Sequence, residues 1–320
     1  MAHSRRALLA VYGVASIFIA AIVVTATFMT VDMRRVALAN GQQQAERYVA
    51  GAEAALNRSL LSIDLLIAGM GELLEGSSAP LLRQTATSSH VTMLLQRTVS
   101  QNVAVRYLAY LDPQLRVLNS SDRRGAQLDV RLPAEFVSRL AQLPVGTLVV
   151  STPAISALTS QRVLYFARRV ALTDESAVLV IAEARLSTLT AILGQGADVP
   201  GLEVTLEADD GPLLASLPPR DDLVGRLIEP RLSEVDSDGA PREMLTRLDE
   251  VPGLVVARPT LQRNLIISAG LSYAAMLRDW ERERNLVLSV ASAFVLMILL
   301  AAAFVHLQLR RQWRDRAAVM

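Results

Sequence analysis

Two long apolar segments, one near each end of the chain, constrain this protein more than any other feature. They run from Ala7 to Val31 and from Leu286 to Leu307. Each exceeds the roughly 20 apolar residues that an α-helix needs to cross the hydrocarbon core of a bilayer. The residues between them, 32–285, have the mixed composition of an ordinary globular protein. The sequence therefore predicts two transmembrane helices with a folded domain between them.

Arginine residues predict the orientation of these helices. The second apolar segment is followed by Arg310, Arg311, Arg314 and Arg316, against the single acid Asp315. Because positively charged residues accumulate on the cytoplasmic side of a membrane, we expect residues 1–6 and 308–320 to be cytoplasmic tails. The central domain is then extracytoplasmic, and in a bacterium it is periplasmic, with the chain in the inner membrane.

A cleaved signal peptide is the alternative for the first segment. Ala37 and Ala39 form the small-x-small pattern of a cleavage site. The apolar region of a signal peptide is usually about 7 to 15 residues long, and the segment from Ala7 to Val31 is longer. An uncleaved membrane anchor is therefore favoured.

Composition excludes several classes of function. The chain has no cysteine, which excludes disulfides, thiol nucleophiles and thiolate metal sites. His3, His90 and His306 are too far apart in sequence to form a local metal site. A net charge of +1 does not produce the strong positive electrostatic potential that would attract nucleic acid. The sequence lacks G-x-S-x-G, P-loop and H-E-x-x-H motifs, so we expect neither an enzyme nor a bound cofactor.

A long helix is predicted from Asp32 to about Glu75. Apolar residues recur there at steps of three and four, the spacing that lines one helix face. They are Val49, Ala52, Leu56, Leu60, Ile63, Ile67, Met70 and Leu74. This face packs on the domain in one interpretation, which we favour for residues 56–74. In the other, the membrane-proximal half pairs with a second copy as a coiled coil.

The rest of the central domain alternates between helix and strand patterns. Residues 76–80 predict a helix break, and a second helix then carries Leu82, Ala86, Met93, Leu94 and Val99. From Val103 the apolar period changes to two, which predicts strands. The expected strands are 103–111, 115–119, 146–151, 154–158, 163–172, 177–184, 202–208, 213–217, 244–248, 254–259 and 265–271. Further helices are expected at 132–143, at 186–193 and from Ser272 onward. This order predicts the α+β class.

Two stretches carry a resemblance to a known family. Val178 to Leu189 (VLVIAEARLSTL) combines a hydrophobic strand, an acid and a helix with spaced leucines, and Val256 to Arg284 combines strands with a final helix. Together with the element order, they resemble the double Cache family of bacterial extracytoplasmic sensor domains. The resemblance implies a long N-terminal helix and two stacked PAS-like antiparallel-sheet modules, flanked by two transmembrane helices. We expect the long helix and the membrane-distal module in 32–199 and the membrane-proximal module with its exit helix in 200–285.

The resemblance also implies a small ligand. In many members the distal module binds an amino acid or another carboxylate, with arginine and aromatic residues on neighbouring strands and an aspartate where a strand ends. Glu183 is the matching acid in this chain, one methylene longer. Neither Trp280 nor Trp313 belongs to the expected distal module.

The residues themselves point to a ligand-binding site on the distal strands. Its candidate members are Arg106, Tyr107, Tyr110, Tyr165, Arg168 and Glu183. The planar guanidinium of arginine suits carboxylates, and tyrosine adds a hydroxyl to an apolar ring. Strand alternation puts Arg106 and Tyr110 on one face and Tyr107 on the other, and it puts Tyr165 opposite Arg168. In the alternative interpretation these side chains face water from a half-exposed sheet.

Taken together, these features predict a receptor module. It would sense a small extracytoplasmic ligand and pass a conformational change through the second transmembrane helix to a cytoplasmic output domain or partner. We expect it to form a homodimer. The alternative is a membrane-tethered scaffold with the same fold and no small ligand. Convergent polar groups in a pocket favour the receptor, and a filled core with an exposed apolar patch favours the scaffold.

Overall fold

The chain divides into two structural units. A computed structural model describes residues 2–74, 88–122, 130, 132–172, 177–234, 238–262 and 264–317. One unit consists of Met1–Gln43 and Tyr273–Met320, and the other of Gln44–Ser272. The expected helix break at 76–80, together with Leu82 and Ala86, lies outside the described residues.

The first unit is helical. Helix α1 (Ala2–Glu72) begins in it, and helix α5 (Tyr273–Ala317) makes up its second part. Both helices are long and apolar enough to cross a membrane. The Tyr12 hydroxyl lies 3.1 Å from His306 Nδ1, and Trp280 Nε1 donates to the carbonyl of Thr30 at 3.0 Å, so the helices are antiparallel neighbours within this unit.

The part of α1 in the second unit buries the stripe expected from its sequence. No proline interrupts the helix, so its backbone hydrogen bonding continues from the apolar segment into the domain. The stripe residues that lie fully in the core are Val49, Ala52, Leu56, Leu60, Ile63, Ile67 and Leu74. The exposed side of the same helix carries Leu61 and Leu65.

The first of two antiparallel sheets follows α1. Its strands are β1 (Val105–Leu111), β2 (Val117–Ser120), β3 (Leu148–Val150), β4 (Ala154–Ile155), β5 (Arg162–Ala171) and β6 (Ala177–Arg185). Their order is β2-β1-β6-β5-β3, and β4 pairs with β5. Asp112 closes the β1–β2 turn by accepting the amides of Gln114 and Arg116 at 3.0 and 2.9 Å.

The second sheet repeats this topology. Its strands are β7 (Leu202–Ala208), β8 (Leu213–Leu217), β9 (Pro241–Leu245), β10 (Pro252–Pro259) and β11 (Leu265–Ser272). Their order is β8-β7-β11-β10-β9. Each strand of the second sheet therefore has a counterpart in the first, with β7 matching β1, β11 matching β6 and β10 matching β5. The α+β fold expected from the sequence is confirmed.

The described residues also form three shorter helices. They are α2 (Ser89–Gln101), α3 (Ala134–Gln142) and α4 (Leu186–Leu193). Helix α2 begins at Ser88, whose hydroxyl accepts the amide of His90 at 3.2 Å. Of its apolar residues, Leu95 is buried, whereas Met93 and Leu94 are exposed.

One expected strand is misplaced. The sequence predicts a strand at 244–248, but β9 ends at Leu245, and residues 247–249 form a turn before β10. Arg247 leaves the strand direction because its side chain pairs with Glu207 in the core.

Candidate ligand-binding site

Three polar side chains form a row across the middle of the first sheet. Glu183 on β6 pairs with Tyr107 on β1 and with Tyr165 on β5. Residues directly opposite each other on neighbouring strands project from the same face of a sheet. The structure therefore brings together Tyr107, Glu183 and Tyr165, three of the residues expected from the sequence.

This face of the sheet is covered by helix α3. Phe136 and Leu140 of α3 share one hydrophobic cluster with Tyr107 and Tyr165. The two tyrosines and Glu183 are 2%, 1% and 1% exposed. A carboxyl group and two phenolic hydroxyls thus lie in a largely apolar interior, where each needs a hydrogen-bond partner.

The hydrogen bonds around Glu183 are incomplete. Its Oε2 accepts a hydrogen bond from the hydroxyl of Ser156 at 3.0 Å. Its Oε1 is buried and has no partner in the described part of the chain, and the same is true of the Tyr107 hydroxyl. The interior of the first sheet therefore holds two unsatisfied polar atoms on residues that pair across β1 and β6. A ligand with hydrogen-bond donors would satisfy both of them.

Burial controls the electrostatics of the row. It raises the pKa of Glu183, and the bonded hydroxyl of Ser156, the nearby hydroxyl of Tyr165, which lies outside hydrogen-bonding geometry, and the charges of Arg106 and Arg185 oppose that shift. Burial also raises the pKa of Tyr107 to about 12, the charges of Glu183 and Asp122 add to this, and the nearby Ser120 hydroxyl, outside hydrogen-bonding geometry, opposes it. Burial likewise raises the pKa of Tyr165, so both tyrosine hydroxyls are neutral at pH 7, and the carboxyl of Glu183 keeps its proton to a higher pH than an ordinary glutamate does.

The other three expected residues lie apart from this row. Tyr110 and Arg168 both pair with Val180 and so occupy the opposite face. There the Tyr110 hydroxyl donates to the carbonyl of Met70 on α1 at 3.1 Å, and Arg168 forms an ion pair with Asp64 of the same helix.

Arg106 reaches toward the side chain of Gln161, with 3.4 Å between its Nη1 and the amide oxygen. Its charge still lowers the pKa of Glu183.

Sequence reasoning missed Ser156, the direct partner of Glu183. This serine is 1% exposed and begins the turn between β4 and β5, where its amide donates to the carbonyl of Gln161 at 2.9 Å. The sequence analysis placed Ser156 within the expected strand 154–158, whereas β4 ends at Ile155, so no sequence signal marked this serine as a partner of Glu183. Among the described residues, no group of three or more His, Asp or Glu side chains is arranged to hold a metal ion.

Comparison with known proteins identifies the fold. No protein-family model and no curated protein matches the sequence. Solved structures match well over most of the chain. The extracellular domain of rpHK1S-Z16, a protein assigned as a histidine kinase, is 17% identical with a TM-score of 0.61, and the match covers 74% of this chain and 96% of that domain.

Two chemoreceptor domains match in the same way. The ligand-binding domain of Mlp24 with asparagine is 14% identical with a TM-score of 0.54, and the match covers 79% of this chain and 99% of that one. The sensory domain of the Campylobacter jejuni chemoreceptor Tlp3 with isoleucine is 9% identical with a TM-score of 0.53, covering 76% and 97%. The chain therefore has the fold of extracellular sensory domains, as the resemblance to double Cache domains implied.

Proposed function

We propose that this chain is the sensing part of a membrane receptor, and that the row of Tyr107, Glu183 and Tyr165 binds a small molecule with a protonated amine. The observation that supports this most is the buried carboxyl of Glu183, whose Oε1 has no partner among the described residues. An ammonium group would donate to this oxygen and neutralise the buried charge. The tyrosine rings would pack on the apolar part of the ligand.

The chemistry of the structural neighbours supports an amino acid as the first ligand to test. Mlp24 and Tlp3 are described with asparagine and isoleucine. Arg169 shares the face of Tyr165, but its guanidinium donates to the carbonyls of Ala141 and Leu143 at 3.3 and 2.9 Å. Recognition of the amine is therefore the better supported half of the proposal, and amines without a carboxylate belong in the same test.

Signal output would pass along the strands that carry the site. Strand β6 holds Glu183 and continues directly into α4, and β11 continues directly into α5, which is apolar enough to cross a membrane. A ligand that binds one of two packings better shifts the population toward it. We propose that α5 carries this difference to a cytoplasmic output, with the arginines at 310–316 on the cytoplasmic side of the inner membrane and the sheets in the periplasm.

A homodimer is part of the proposal. Gly51, Ala54, Arg58, Leu61 and Leu65 recur at steps of three and four on the exposed side of α1. Leu61 and Leu65 are 48% and 64% exposed there. This is the spacing of a coiled-coil seam. Two copies anchored in one membrane have parallel α1 helices, so equivalent leucines would meet.

The ligand proposal is tested by thermal unfolding of the full chain in detergent with a library of amino acids and their decarboxylated amines. A ligand should raise the melting temperature by mass action. The shift should disappear in Glu183→Ala and persist in Arg168→Ala, which removes a charge from the opposite face of the same sheet. A shift that survives Glu183→Ala contradicts the site, and the absence of any shift favours the scaffold alternative.

A further inference from the structure

The second sheet carries a buried polar face that matches the candidate ligand face of the first. Gly270 lies as far before α5 as Glu183 lies before α4, and it pairs with Glu203 on β7. Thr205 and Glu207 follow on the same face of β7. All three β7 side chains are buried. The second sheet therefore places two carboxylates where the first sheet has mainly apolar side chains.

Arg247, from the turn between β9 and β10, fills this face. Its Nε and Nη2 donate to the two carboxylate oxygens of Glu207 at 3.0 and 2.5 Å. Its Nη1 and Nη2 also donate to the carbonyls of Pro230 and Ile228 at 2.7 and 3.2 Å. The side chains of Arg247 and Glu207 are only 2% and 1% exposed. The guanidinium is thus enclosed, and four of its N–H groups are used.

The same turn satisfies the second carboxylate. Thr246 donates from its hydroxyl to Glu203 Oε1 at 2.9 Å, and the amide of Leu248 donates to Oε2 at 2.8 Å. Thr205 donates to Glu207 Oε1 at 2.7 Å. Every carboxylate oxygen of Glu203 and Glu207 therefore has a partner, whereas Glu183 on the first sheet retains one without a partner among the described residues.

We propose that the second sheet contains a guanidinium-binding site that the protein occupies with its own Arg247. The planar fork of a guanidinium matches a carboxylate in two parallel hydrogen bonds, and the two carbonyls complete a site for a planar cation. Arg247 is thus a built-in ligand that keeps external molecules out of this site. Removing its side chain leaves a site that accepts a free guanidinium ion and rejects a neutral molecule of the same shape.

A shaped guanidinium site differs from a simple ion pair in how it responds to the loss of the arginine side chain. An ion pair that merely adds stability is replaced by any cation that reaches Glu207. A shaped site requires a flat donor group that contacts Glu207, Ile228 and Pro230 together. Guanidinium satisfies that requirement, ammonium supplies only the charge, and urea supplies only the shape.

The test uses the full chain in detergent and the variant Arg247→Ala. The melting temperature of Arg247→Ala should fall below that of the wild type, and low-millimolar guanidinium chloride should raise it again in a saturable way. Urea and ammonium chloride at matched concentrations should not restore it, and guanidinium should not raise the melting temperature of the wild type. In the double variant Glu207→Gln/Arg247→Ala the rescue should be lost. Three outcomes would overturn the inference. Ammonium could restore the melting temperature as well as guanidinium does, guanidinium could restore it in the double variant, or folded Arg247→Ala could show no saturable increase with guanidinium.

A second measurement covers the case in which Arg247→Ala does not fold. In the ¹⁵N-labelled wild type, the Nε–H of Arg247 should exchange with solvent on the order of 100-fold more slowly than that of Arg282, because an enclosed group exchanges only when the structure opens. The side chain of Arg282 is 78% exposed. Similar exchange rates for the two arginines would show that Arg247 is not held as a ligand. Neither measurement involves Glu183, so both are independent of the proposed function.

Discussion

Replacing Glu183 by glutamine should change how the free energy of unfolding depends on pH. Burial raises the pKa of Glu183 above its ordinary value of 4.5. The folded state therefore favours the neutral carboxyl. That contribution to stability is complete below the unfolded-state pKa and is lost as the pH rises through the folded-state pKa. Glutamine keeps the shape of the neutral acid and does not titrate.

The magnitude follows from linkage. Between the two pKa values, the wild type should lose up to about 1.4 kcal/mol of unfolding free energy per pH unit relative to Glu183→Gln. Glu203, whose pKa burial also raises, is present in both proteins, so its contribution cancels in the difference. Urea unfolding of both proteins, followed by circular dichroism between about pH 4 and pH 8, measures this difference. A difference that stays constant over that range would refute the claim that burial raises the pKa of Glu183.

Two further substitutions, each with a control variant, test the packing of the second sheet and the proposed dimer seam. Gly253→Ala would place a Cβ 2.5 Å from the carbonyl oxygen of Leu271 on the paired strand, so we expect a loss of about 1–3 kcal/mol in urea unfolding. Gly69→Ala is the matched control, because a Cβ there meets nothing within 4 Å in a helix, and we expect it to be neutral or stabilising. The natural chain has no cysteine, so Leu65→Cys in membranes should cross-link two copies under mild oxidation if the exposed side of α1 is the dimer seam. Ile67→Cys, at a position that is 0% exposed, should not; equal cross-linking of both variants would contradict the seam.

Helices were predicted well because their signals are local. The stripe from Val49 to Leu74 needs only its own spacing to indicate a buried face, and the structure buries it. The helix from Leu186 to Leu193 follows a strand whose apolar run ends at a charged residue, and its bounds match the prediction. Which apolar residues of a helix are buried also depends on neighbours that are distant in sequence, and on α2 Leu95 is buried whereas Met93 and Leu94 are exposed.

The candidate site shows where sequence reasoning reaches its limit. Alternation correctly separated Tyr107 from Tyr110, since it depends only on the two-residue period of a strand. It does not reveal which strands are neighbours. Placing Glu183 between Tyr107 and Tyr165 requires the order β1-β6-β5, which joins strands far apart in the chain. For the same reason, the pairing of Arg168 with α1 could not be read from the sequence.

The misplaced strand at 244–248 has a related cause. The stretch Met244 to Leu248 combines apolar residues with the β-branched Thr246 and so resembles a strand. The chain instead turns at Arg247, whose side chain pairs with Glu207 in the core. A buried ion pair that costs several kcal/mol when broken can outweigh a local strand preference of about 1 kcal/mol. A long-range electrostatic contact thus decided a local backbone conformation.

The two sheets have the same strand order but differ in whether a cation is bonded to their buried carboxylates, which leads to a last prediction. The second sheet neutralises Glu207 with Arg247, whereas the described residues leave Glu183 without a directly bonded cation. If an ammonium ligand supplies that cation, Glu183 must lose its proton when the ligand binds. Affinity for a protonated amine should then rise by up to tenfold per pH unit until the pH reaches the folded-state pKa of Glu183, and level off above it. Glu183→Gln should bind weakly at every pH. Titration of the best amine ligand at several pH values measures this, and a wild-type affinity that falls as the pH rises over the acidic range would mean that Glu183 binds its ligand as a neutral acid.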